Sequence, residues 1–177
     1  METNKPIDNT IFELVDSNGN VIATGTTDNR GILEFNKIKP GNYKIREKKS
    51  NDNYINNNVI YDIVINPSET STKNITNEHK KGNLKIYKVD KDDNDLTLGA
   101  VEFDLIDSNG NIVKHLITDV NGIAEVKNIN TGNYTLRETL TKKEYNLAID
   151  QNVVINWNKT MEYKVENEKK KGQIRII

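Results

Sequence analysis

At 177 residues, 34% hydrophobic, 29% charged and a mean hydropathy of −0.73, the chain suits one or two small domains and is too polar for a single large core. Twenty-five Lys and Arg offset 26 Asp and Glu, so the net charge of −1 gives no electrostatic basis for binding nucleic acid or inserting into an anionic membrane, and no apolar run nears the roughly 20 residues that span a bilayer. Cysteine is absent, which excludes disulfides, thiolate metal sites and Cys nucleophiles.

In chain order, the first apolar run, IFELV, begins at Ile11 and leads into Ser17-Asn18-Gly19. An Asn-Gly pair between alternating runs predicts a two-residue type I′ hairpin. Asp28-Asn29-Arg30-Gly31 predicts the next turn, and GNYKIRE (41–47) the next strand. After the short joint Glu78-His79-Lys80-Lys81-Gly82 the pattern starts again. VEFDLIDSNGN begins at Val101, the turn Asp119-Val120-Asn121-Gly122 follows, and GNYTLRE occupies 132–138. Aligning Phe12 with Phe103 sets an offset of about 91 residues, which also pairs Tyr54 with Tyr145. An offset of about 90 then pairs TNEHKKG (76–82) with ENEKKKG (166–172). No segment holds a 3.6-residue apolar period. The expectation is an all-β chain of two tandem immunoglobulin-like sandwich modules in a semi-rigid rod. Residues 1–79 form a first repeat lacking its first strand, 80–171 a complete second repeat, and 172–177 an orphan first strand of a following one.

Side-chain parity singles out three polar residues in the second repeat. Leu84, Ile86 and Lys88 share one face of a strand, as do Tyr134, Leu136 and Glu138, and Tyr163, Val165 and Asn167. Each apolar stripe runs into one polar residue, and buried polar groups are costly unless paired. Mutual satisfaction is one reading; strand-end residues reaching solvent is the other. A chemical reading also exists. Burial favours the neutral Lys88 amine, which attacks the Asn167 carboxamide while a protonated Glu138 relays protons and stabilises the intermediate. The product is a Lys–Asn isopeptide bond, with ammonia released.

These segments together resemble the CnaB-type (SpaA-like, prealbumin-like) stalk repeats of Gram-positive surface adhesins and pilins. The resemblance runs from Leu84 to Gly172 through Lys88-Val89-Asp90, Gly99-Ala100, Thr118-Asp119 and Gly122, Tyr134 to Glu138, and Val165-Glu166-Asn167. It implies a prealbumin-like fold, a crosslink between Lys88 and Asn167, and Glu138 as the catalytic residue of that crosslinking. The loop pattern Ala-Pro-x-Gly-Tyr usual after the glutamate is replaced here by Thr141-Lys142-Lys143-Glu144-Tyr145. The first repeat keeps Glu47 and Asn77 but has no equivalent of Lys88, so its site is incomplete; Lys5 aligns with Leu96 and does not substitute.

Other signals are weaker. Asp90, Asp92 and Asn94 resemble the start of a calcium loop, but Asp95 and Val101 occupy positions that need Gly and Glu, so no metal is expected. His79, His115 and Trp157 read as ordinary polar or packing residues, and the sequons at Asn133 and Asn158 carry little weight. The functional expectation is a non-enzymatic, cofactor-free stalk segment at the bacterial cell surface, with signal peptide and anchor outside this chain. Its expected partners are neighbouring repeats of the same protein. The alternative is an adhesive module for host matrix or glycan. The orphan strand 172–177 predicts head-to-tail self-association by donation to the open sheet edge of another copy's first repeat.

Overall fold

A computed structural model describes residues 5–177, and among these there is no helix. The chain divides into two compact units, ending at His79 and beginning at Lys80. The first holds β1 (Ile11–Val15), β2 (Val21–Thr26), β3 (Gly41–Lys49) and β4 (Ile60–Ile65), in one antiparallel sheet of order β2-β1-β3-β4.

The second unit is a two-sheet sandwich. Its strands are β5 (Lys81–Asp90), β6 (Glu102–Ile106), β7 (Ile112–Ile117), β8 (Ile123–Asn130), β9 (Gly132–Leu140), β10 (Gln151–Ile155) and β11 (Thr160–Asn167). One sheet runs β10-β9-β6-β7, the counterpart of the sheet in the first unit. The other runs β11-β5-β8, with β5 parallel to β11 and antiparallel to β8. Alternation buries Leu84, Ile86 and Lys88 from β5 against Phe103, Leu136 and Val165.

In the first unit, residues 32–39 align with β8 and 70–77 with β11, yet neither is a strand. In the second unit β8 and β11 pair only with β5, a strand with no counterpart among the described residues of the first unit. Without a middle strand, neither flank has a ladder to join. The gap is therefore in the centre of a sheet, and the expectation of an open sheet edge is corrected accordingly. Leu33 and Phe35 remain only partly buried, whereas their counterparts Ala124 and Val126 are core residues.

The hairpin turns also differ from expectation. Of each Asn-Gly pair only the glycine has positive φ, Gly19 at 86° and Gly110 at 83°. Asp16 Oδ1 accepts from the backbone N–H of Asn18 and Asn20, and Asp107 Oδ1 from those of Asn109 and Asn111. Gly19 N–H bonds Asp16 O, and the register then slips by one residue. The aspartate side chain thus stabilises a type I turn closed by a glycine bulge, in place of type I′. Asp28 and Asp119 hold the next turns in the same way.

Candidate crosslinking site

Two sheets build one buried polar cluster. Lys88 comes from β5 and Asn167 from the adjacent parallel β11, where Val165 lies opposite Lys88 and Asn167 opposite Asp90. Glu138 reaches in from β9 of the facing sheet. Lys88 is 0% exposed, Asn167 1% and Glu138 5%. Lys88 Nζ donates to Val165 O at 3.1 Å and lies 3.7 Å from Glu138 Oε2. Asn167 Nδ2 donates to Glu138 Oε1 at 2.6 Å and to Thr141 Oγ1 at 2.5 Å. Asn167 Oδ1 is buried with no hydrogen-bond partner.

Burial pushes the Lys88 ammonium down to about 8, against the opposing pull of the Glu138 carboxylate. One glutamate therefore touches both the amine and the carboxamide nitrogen, beside an unsatisfied carbonyl oxygen. An amine that gives up its proton beside such a held primary amide supplies the reactant pair for acyl transfer with loss of ammonia.

The cluster has neighbours that parity did not identify. Asp90, 1% exposed, accepts from Tyr145 Oη at 2.6 Å and pairs with Lys169 Nζ at 2.8 Å. Its Oδ1 also accepts from the backbone N–H of Asp92 and Asp93. The hydrogen bonds from Lys169 and Tyr145 hold its carboxyl well below the usual range. Its oxygens are thus committed to tying the ends of β5 and β11 to the 141–145 loop. Thr141 belongs to a loop without alternation, so its approach to Asn167 could not be read from the strand pattern.

The first unit repeats half of the cluster. Asn77 Nδ2 donates to Glu47 Oε1 at 2.9 Å, to Oε2 at 2.8 Å and to Ser50 Oγ at 2.8 Å. Asn77 Oδ1 is buried and unpaired, like its counterpart. The remaining candidates lie elsewhere. His115 Nδ1 contacts Asp104 Oδ1 at 2.7 Å across β6 and β7, which raises its pKa. His79 packs against the Tyr54 ring, and Trp157 is half exposed beneath Lys80.

Comparison with known proteins places this geometry in context. Residues 1–79 and 82–169 each match the SpaA prealbumin-like fold domain. Serine-aspartate repeat-containing protein F of Staphylococcus epidermidis is 30% identical over 157 residues, covering 76% of this chain and 10% of that protein. Collagen adhesin of Staphylococcus aureus is 36% identical over 77 residues, covering 40% of this chain and 6% of the adhesin. The chain thus spans a small fraction of these relatives. Among solved structures, the Bacillus anthracis TIE protein superposes with a TM-score of 0.74 at 27% identity, over 95% of this chain and 32% of that one. The minor pilin GBS52 of Streptococcus agalactiae shares the fold, with a TM-score of 0.52 at 22% identity, over 99% of this chain and 89% of the pilin.

Proposed function

Because the chain belongs to the family of SpaA prealbumin-like fold domains, we propose that it is a stalk segment of a bacterial surface adhesin or pilus-like protein, its second unit closed by a Lys88–Asn167 isopeptide bond. The observation that carries this reading is the fully buried Lys88 beside a Glu138 that also grips the Asn167 amide. A stalk transmits tension, and the chain enters the second unit on β5 and leaves it on β11. A covalent bond near the C-terminal ends of both strands carries the load from Lys88 directly to Asn167. The residues between them are shielded from the pull. Cysteine-containing proteins use disulfides for this purpose; a Lys–Asn amide needs no redox poise. Loop-closure entropy alone contributes on the order of 4 kcal/mol for a loop of this length.

Intact mass tests the reading. The chain should weigh less than its sequence by one ammonia, not two, because the first unit has no counterpart of Lys88. Tandem mass spectrometry should locate the bond at Lys88 and Asn167 and leave Asn77 unmodified. Glu138→Ala should restore the full mass. A wild-type chain at full mass overturns the proposal.

The gap in the first unit favours a further part of the same reading. Gly172–Ile177 repeats the start of β5, and Ile174 and Ile176 are each 93% exposed. Insertion of this segment between 32–39 and 70–77 of another copy would give both flanks a ladder and bury both isoleucines. Self-association then proceeds through the middle of a sheet, by completing it.

A further inference from the structure

A primary amide nitrogen carries two hydrogens, and in Asn167 both are engaged, by Glu138 Oε1 and by Thr141 Oγ1. The two acceptors differ in what else they reach. Glu138 also contacts the Lys88 amine. Thr141 Oγ1 accepts from the nitrogen that must leave. The first unit holds the same contact, Asn77 Nδ2 to Ser50 Oγ, although Ser50 and Thr141 stand in loops of different sequence.

Thr141 also lies at a boundary. It is partly exposed, whereas Lys88 and Asn167 are buried. It lines an open cleft of about 360 Å³ together with Thr139, Lys142, Tyr145, Asn146 and Lys170. A product released at Asn167 Nδ2 must travel from the core to solvent, and the hydroxyl stands between the two.

We propose that Thr141 is the leaving-group residue of the crosslinking site: its hydroxyl orients the Asn167 amide and then holds the nitrogen as ammonia forms and departs through the cleft. This rests on the isopeptide reading above. The steps balance. Lys88 ammonium gives one proton to the Glu138 carboxylate, and the free amine attacks Asn167 Cγ. As the nitrogen becomes tetrahedral its lone pair leaves conjugation and is free to take the Glu138 proton, while the Thr141 hydroxyl goes on accepting an N–H, a bond that strengthens as Nδ2 gains ammonium character. Glu138 passes its proton to Nδ2 and removes the surplus proton from Nζ. The Cγ–Nδ2 bond breaks, the carbonyl reforms and ammonia leaves; Thr141 ends unchanged. That accepted bond strengthens only as positive charge develops on Nδ2 after attack, so it lowers the barrier more than it tightens the ground state.

The test follows ammonia loss by intact mass in the full chain, from rapid isolation onward at fixed pH, for wild type, Thr141→Ser, Thr141→Ala and Thr141→Val. Thr141→Ser should match wild type. Thr141→Ala and Thr141→Val should retain a full-mass population and lose ammonia about 10 to 100 times more slowly. Thermal unfolding of Thr141→Val in a Lys88→Ala background, compared with Lys88→Ala alone, shows whether the fold survives; if it does not, the Ser and Ala variants decide. Equal rates for Ser and Ala overturn the role of Thr141 while the crosslink stands. A wild type that never loses ammonia overturns the crosslink, and this inference with it.

Discussion

The charge state of Lys88 determines the behaviour of the uncrosslinked site. Its amine titrates near 8 in the fold against an ordinary 10.5, so between those values the unfolded chain binds the additional proton. Stability therefore rises with pH across that window, and the full penalty for burying the ammonium is present below about 8. In Asn167→Ala, which cannot crosslink, urea unfolding should show stability increasing from pH 7 to pH 10 by about 2.5 kcal/mol. Comparison with Lys88→Met/Asn167→Ala isolates this residue from other lysines and tyrosines; a pH dependence shared by both variants would refute the assignment. Alternation alone directs Lys88, Glu138 and Asn167 inward, because each continues an apolar stripe. Thr141, Tyr145 and Lys169 lie outside such stripes, and their contacts depend on how the loop after β9 folds back.

Among the elements, β5 is the keystone of the second unit, and a glycine in the turn before β8 packs closely against it. Gly122 has φ 72°, its carbonyl accepts from Lys88 N–H at 2.8 Å, and an added Cβ would lie 2.5 Å from Lys88 O. Gly110 has a similar φ of 83° but open space around it. Gly122→Ala should thus cost about 2–3 kcal/mol in a Lys88→Ala background, and Gly110→Ala only about 1 kcal/mol. Urea midpoints measure both, and equal costs would show that close approach to β5 does not matter. The turns illustrate how a correct local signal gives the wrong geometry. Asn-Gly permits type I′, yet the aspartate two residues before the asparagine supplies two backbone hydrogen bonds that only the type I arrangement receives.

For the whole molecule, the proposed strand completion would make association depend on the last six residues. Removing Gly172–Ile177 should convert a self-associating chain to a monomer by light scattering and lower the unfolding temperature of the first unit. A monomeric full-length chain at high concentration rules out donation. The duplication and the all-β class were legible in the sequence because turn residues, two-residue alternation and repeat spacing are local properties of the chain. That β5 lies between β8 and β11 was decided only by tertiary structure, since the ladder joins segments more than 30 and more than 70 residues apart. The same holds for the site. The sequence determined which side chains face inward; the packing of two sheets and a loop decided that one carboxylate meets both amine and amide, and that a hydroxyl takes the remaining hydrogen, because such contacts follow from distances across the core that spacing along the chain does not encode.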